Sequence, residues 1–155
     1  RKGPDYGNIY DHFAIEYEYP GDLRIAAMCR QIDSCTNRIA GRVVGTRGVA
    51  DLDGKTATIR GASPYTWDGT ERNPQVQEHV DMIAGIRSGR PLNHGRRIAE
   101  STLTAIIGRM SAYTGKAVNY DWALKESQLD LSPPRFEFGD LPVRPVAVPG
   151  TTPLV

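Results

Sequence analysis

Apolar and polar positions alternate from Phe13 onward: Phe13, Ile15, Tyr17 and Tyr19, then, beyond Pro20-Gly21-Asp22, Leu23, Ile25, Ala27 and Cys29. A period of two is the mark of half-buried strands, because successive side chains of a strand point to opposite faces. The corner between the runs predicts a hairpin. A three-residue corner sets Tyr19 against Leu23, Tyr17 against Ile25, Ile15 against Ala27 and Phe13 against Cys29, apolar opposite apolar on one face. On the other face Glu18 meets Arg24, Ala14 meets Met28 and His12 meets Arg30. A two-residue corner would set Tyr17 against Arg24 and mix the faces.

Further strands are expected over 38–44, 49–52 and 56–59, joined by the Gly45-Thr46-Arg47-Gly48 turn and by Asp53-Gly54, a strong hairpin signal. The stretch ASPYTWDGTERNP then reads as a polar, turn-rich connection. Past Asn73 the period changes to that of a helix. Asn73 is an N-cap with Pro74 at the first helical position, where a missing N–H costs nothing. Val76, Val80, Ile83 and Ile86 line one side, and Gly89 ends the helix before Pro91. A longer helix is expected over 96–114, with Ala99, Leu103, Ile106, Met110 and Tyr113 on one stripe and Gly115 as its stop. A short third helix starts near Asp121. Beyond Leu131 repeated prolines forbid a helix and favour an extended arm. That arm carries Phe136, Phe138, Leu141, Val143, Val146, Val148 and Leu154, so it should lie against its own sheet edge or a neighbouring subunit.

The expected class is therefore α+β: a mainly antiparallel open sheet with helices packed on one face and a Pro-rich C-terminal arm. A chain of 155 residues with 39% hydrophobic content suits one domain over 1–155, with sheet hairpins in 1–61, helices in 73–128 and the arm in 129–155. A formal net charge of +1 and scattered basic residues give no field that argues for nucleic acid or a membrane surface as partner. No apolar run approaches the ~20 residues needed to span a bilayer. The chain begins RKGPDYG without Met and reads as a piece of something longer, which leaves the compartment open.

Chemistry is sparse. The sequence holds no G-x-G-x-x-G, no Walker loop, no G-x-S-x-G and no H-E-x-x-H. Cys29 and Cys35 have no further ligand at metal spacing and read as free thiols. Gly41, Gly45 and Gly48 read as turn glycines rather than a phosphate cradle. His79, at the edge of a helical stripe, reads as a hydrogen-bonded structural histidine, and His94 as exposed. The far end of the first hairpin is where polar groups gather: Asp11, His12, Arg30 and Gln31, with Asn37 following, form a donor and acceptor set suited to a hydroxyl-rich ligand. The bland alternative is that they polarise a strand end.

Several stretches, in order and over nearly the whole chain, resemble one known family: GNIYDHFAIEYEYP, the CRQ that ends the next strand, VVGTRG, NPQVQEHVDMIAGIRSGRPLNHGRRIAESTLTAIIGRMSAYTGKAV and YDWALKESQLDLSPP. They are similar to the C-terminal domain of bacterial Gfo/Idh/MocA oxidoreductases, the glucose-fructose oxidoreductase and inositol dehydrogenase relatives, in the subgroup with a proline-rich tail. The resemblance implies a two-domain parent enzyme. Its N-terminal Rossmann domain, outside this chain, would hold NAD or NADP and the catalytic lysine, aspartate and histidine, so no catalytic or cofactor-binding residue transfers to these positions. This domain would wall the cleft of a sugar or cyclitol substrate and build a homo-oligomer through its sheet face and arm. A non-catalytic assembly module, and an NAD-dependent glycosidase of the same family, are the alternatives.

Overall fold

A computed structural model describes residues 8–67, 69 and 73–155. The order of elements is β1 (His12–Tyr19), β2 (Leu23–Arg30), β3 (Gly41–Gly45), β4 (Gly48–Leu52), β5 (Ala57–Gly61), β6 (Tyr65–Thr66), α1 (Pro74–Arg87), α2 (Gly95–Thr114) and α3 (Tyr120–Lys125). All strand pairs are antiparallel, in one two-stranded sheet, β1-β2, and one four-stranded sheet, β3-β4-β5-β6. The class is α+β. The described residues divide into two compact units: those up to Asp33 together with His94–Val155, and Ser34–Asn93.

In the first unit the hairpin has the expected register at every step, from Tyr19 opposite Leu23 to His12 opposite Arg30. Gly21 and Asp22 take left-handed φ of 76° and 59°, which turns the chain within three residues. Glu16 and Glu18 both receive Arg24, at 2.5 and 2.9 Å, on the strand face opposite Phe13, Ile15 and Tyr17. Phe13, Ile15 and Tyr17 alternate as half-buried with exposed neighbours, because α2 lies over β1.

Gly108 lets helix and strand approach: a Cβ there would collide with the Tyr17 hydroxyl and meet Ile15 Cγ2 at 3.5 Å. Tyr113 continues the contact, its ring 4.5 Å from that of Tyr10 and 6.1 Å from that of Phe13. The core is small. Ile107, Met110 and Ala123 are its buried members, with Tyr17, Leu103, Val118, Trp122 and Leu154 packed around them.

α2 stops where expected: Gly115 takes φ 69° and its N–H donates to the Ser111 carbonyl. Asn119 then caps α3, accepting from the Trp122 N–H. The last residues fold back on the same unit. Gly150 N–H donates to the Thr114 carbonyl at 2.8 Å, Tyr10 hydroxyl to Ala147 O at 2.6 Å, and Ser127 Oγ to Val155 O at 2.8 Å. Phe136 and Phe138 stay fully in solvent.

In the second unit, Thr46-Arg47 joins β3 to β4 as a two-residue turn. The Asp53 carboxylate closes the next turn by accepting the Lys55 and Thr56 N–H groups at 3.0 and 2.7 Å. The glycines act differently from expectation. Gly41 and Gly45 have no positive φ, and Gly48 sits directly opposite Gly61, where a Cβ on either would strike the facing strand's backbone. Close approach, not turn geometry, is what selects glycine there. β6 lies in the stretch expected to be a connection; Tyr65 and Thr66 pair with Ile59 and Thr58. Positions 68 and 70–72 of that stretch lie outside the described residues.

Asn73 caps α1 as expected, accepting from Gln75 and Val76 N–H at 3.0 and 3.3 Å. Among the described residues of its unit, however, α1 packs on no other element, and Val76 and Ile86 are 61% and 62% exposed. Within the first unit α2 packs on β1, and α3 packs on α2. β2 is equally bare: α2 covers β1 but not β2, and Leu23 is 56% and Met28 80% exposed. The chain exposes 13365 Å².

Candidate functional site

The far end of the hairpin forms because β1 and β2 run out of apolar pairs after Phe13 and Cys29. Gln31 N–H donates to Asp11 O at 2.7 Å, which extends the ladder one step beyond the strands. His12 and Arg30 are direct cross-strand partners. The His12 ring nevertheless turns to its sequence neighbour: Nδ1 lies 2.8 Å from Asp11 Oδ1. A carboxylate only accepts, so Nδ1 carries the hydrogen and Nε2 is left facing outward. That hydrogen bond from His12 holds the Asp11 carboxyl below its ordinary value. The His12 side chain is 75% exposed, Asp11 half-buried, and Arg30 and Gln31 exposed.

Four of the five expected residues are therefore neighbours in one unit, whereas Asn37 belongs to the other, in a stretch without helix or strand. Together the four offer a carboxylate, an imidazole, a guanidinium and a carboxamide on an open strand end. Such a set can hydrogen-bond a hydroxyl-rich molecule, but it has no walls to desolvate one.

Two concavities of the same unit lie elsewhere, and none of the five residues lines either. The larger is an open groove of about 1120 Å³ between β1 and α2, running from Ala14–Pro20 to Gly115–Tyr120. It exists because α2 bears Gly108, Ser111 and Ala112 on this side, so the helix surface is flat where the strand passes. Its polar rim includes Glu16, Glu18, Ser111, Lys116 and Asn119. Tyr17 stands in its floor, and burial pushes that phenol above its ordinary value. The sequence signal was available: small residues stand beside the apolar stripe of α2 at 108, 111 and 112. The smaller concavity lies between α2 and the C-terminal segment.

Among the described residues no parallel strand pair exists, and α2 begins after His94 with no side-chain cap and no glycine-rich strand-to-helix turn. His79 is hydrogen-bonded as expected, Nδ1 donating to Gln75 O at 2.6 Å from an exposed position. Cys29 and Cys35 are free. Among the described residues no helix is long and apolar enough to cross a membrane.

No known protein family, no curated protein and no solved structure matches the chain.

Proposed function

We propose that this chain is a substrate-cleft and oligomerisation domain of a two-domain NAD(P)-dependent oxidoreductase that acts on a sugar or cyclitol hydroxyl, as the resemblance to Gfo/Idh/MocA proteins implies. The observation that supports the reading is exposed apolar surface: Leu23 and Met28 of β2 are 56% and 80% exposed, and Val76 and Ile86 of α1 are 61% and 62% exposed. Surface left bare on this scale is what a half-structure has before it meets its other half and its twin subunits. In this reading NAD or NADP is held by a Rossmann domain beyond these residues. The polar strand end at Asp11, His12, Arg30 and Gln31 positions the substrate's hydroxyls.

The same bare surface favours a second reading, a non-catalytic assembly module. Two measurements separate them. Calorimetry of this chain with NADH and NADPH is expected to show no uptake; tight binding of either would contradict the proposed division of labour. In a protein joining these residues to a Rossmann domain, Arg30→Ala is expected to raise KM for the sugar or cyclitol at least tenfold without changing dinucleotide affinity. Unchanged kinetics would remove the strand end from the substrate site. Absence of any turnover with an intact dinucleotide fingerprint would favour the assembly module.

A further inference from the structure

The groove between β1 and α2 is lined by every residue of positions 14–20 and by none of β2. A groove over one face of a strand would touch alternate residues only, so this one runs along the edge of β1 that faces away from β2. The pairing shows which groups stand on that edge. Gln31 N–H donates to Asp11 O at 2.7 Å, which makes these two a hydrogen-bonded pair, and every second step of the ladder, from Phe13 with Cys29 to Tyr19 with Leu23, is of the same kind. The main-chain N–H and C=O groups of Ala14, Glu16 and Glu18 therefore point away from β2, and among the described residues β1 has no other strand partner. Over this edge α2 presents Gly108, Ser111 and Ala112, whose short side chains leave room.

One segment of the chain has the matching need. Positions 135–141, RFEFGDL, form a run free of proline between Pro134 and Pro142, as long as the edge at 14–20. The run is neither helix nor strand, and its Phe136 and Phe138 are 91% and 109% exposed. Arg135 donates to Glu137 at 3.1 Å. Residues two apart share one face of an extended chain, so the two phenyl rings fall together on the other face. Both ends of the segment are held on their own unit: Arg144 donates to Asp130 O at 3.3 Å and Asn8 to Pro145 O at 3.4 Å. Those ends lie along Ile106, Met110 and Tyr113 of α2, whereas the groove lies along Ile107, Gly108, Ser111 and Ala112. At about 3.6 residues per turn these are opposite sides of the helix, so the arm of each copy is anchored on the side of α2 away from its own groove.

We propose that the groove takes an extended polypeptide as an added strand on β1, and that its occupant is segment 135–141 of a second copy of this chain, the two copies exchanging arms about a twofold axis. The added strand bonds its main chain to that of Ala14, Glu16 and Glu18, as peptides do at open sheet edges. Phe136 and Phe138 face α2 and fill the room left by Gly108, Ser111 and Ala112. Arg135 and Glu137 then lie on the strand face of Glu16, Glu18 and Arg24, which sets opposite charges within reach of each other. The area is sufficient: two phenylalanines bury about 300–500 Å² and the two arms about 600–1,000 Å², and with the groove walls they cover the total reaches about 1,200–2,000 Å², the size of a stable specific interface. A reciprocal exchange makes the same contact twice and closes on itself, so the edge of β1 recruits no third copy. The inference rests on the assembly part of the proposed function and names its surfaces; it needs neither dinucleotide nor sugar.

The test is amide hydrogen exchange of the full chain, read residue by residue across a dilution series, with light scattering for the mass. The amides of Ala14, Glu16 and Glu18 are expected to slow at least tenfold as the chain associates, while those of Phe13, Ile15 and Tyr17, bonded to β2, stay protected throughout and report the fold. Phe136→Ser with Phe138→Ser is expected to weaken association at least tenfold and to leave the three edge amides fast at every concentration. Ala112→Trp, which fills the groove and leaves the arm intact, is expected to do the same; circular dichroism checks that both variants are folded. Edge amides that exchange fast in an associated chain, or that stay slow in the double variant, would overturn the arm exchange and leave assembly through other surfaces standing. Protection independent of concentration would overturn it too, since the copy's own arm would then fill the groove. A chain that stays at 17.0 kDa at every concentration would remove the exchange and the assembly reading together.

Discussion

Adding one methyl group at Gly108 probes the contact on which the first unit rests. In an isolated helix, glycine to alanine is worth about 1 kcal/mol in favour of alanine, because glycine loses more backbone freedom on folding. In this helix the new Cβ would run into the Tyr17 hydroxyl and lie 3.1 Å from the ring carbon that bears it, with Ile15 Cγ2 at 3.5 Å. Overpacking of this kind costs about 1–3 kcal/mol. The Tyr17 ring borders the open groove between β1 and α2, so a small ring movement can relieve part of this cost.

The net for Gly108→Ala is thus a loss of about 0–2 kcal/mol, which in a unit of this size lowers Tm by up to roughly 8–16 °C. Tyr17→Phe removes the atom in closest conflict. In that background Gly108→Ala is expected to become neutral or stabilising, giving a coupling of about 1 kcal/mol or more in a double-mutant cycle. Thermal or urea unfolding followed by circular dichroism measures all four variants. If Gly108→Ala stabilises the unmodified chain by its full helical preference, and Tyr17→Phe leaves that gain unchanged, α2 does not lie on β1 at this point and the packing argument fails.

Asn73→Ala removes the oxygen that accepts Gln75 and Val76 N–H, at about 1 kcal/mol of helix stability; because, among the described residues, α1 packs on no element of its unit, faster amide exchange throughout 75–87 is expected. Exchange unchanged beyond the first turn would show that packing holds the helix. Asp53 gives a pH effect of known sign. Hydrogen bonds from Thr56 and Lys55 lower its carboxyl below 3.8, so its contribution is complete above that value and is lost as pH falls through the lower folded value. The Thr56 amide shift is expected to titrate with a midpoint below 3.8 and to stop titrating with that midpoint in Asp53→Ala; a midpoint at or above the ordinary carboxylate value would mean the turn does not use this carboxylate.

The local grammar of this chain was legible because its signals are short-range. Alternation from Phe13 to Cys29 fixed eight cross-strand partners, since a slip by one residue would have turned every aromatic to the wrong face. Asn73-Pro74 and Gly115 marked helix ends through backbone chemistry confined to a few residues. Packing partners were harder to read. The stripe of Val76, Val80, Ile83 and Ile86 looks the same whether it covers a sheet or faces solvent, because amphipathicity announces a need for cover without naming the cover.

Gly48 misled for a related reason. Close approach to Gly61 depends on a residue thirteen positions away, whereas the turn reading needed only neighbours. β6 was hidden because two paired residues, Tyr65 and Thr66, are too few to show a period. Of the candidate site, the juxtaposition of Asp11, His12, Arg30 and Gln31 followed from register alone. The turning of His12 onto Asp11 did not, nor did the cavity, whose walls come from Asn8, α2 and the chain's last residues.

The central claim is that this chain is built to be covered. In the proposed reading, the exposed side chains of β2 and of the α1 stripe meet a partner surface of the class found in obligate assemblies, about 2,000–5,000 Å². The most direct measurement is the mass in solution, by light scattering behind size exclusion at micromolar concentration. The account predicts a mass of at least twice 17.0 kDa, with Leu23 and Met28 protected from labelling or exchange. A monodisperse species of 17.0 kDa that unfolds cooperatively, with those side chains fully accessible, would contradict it.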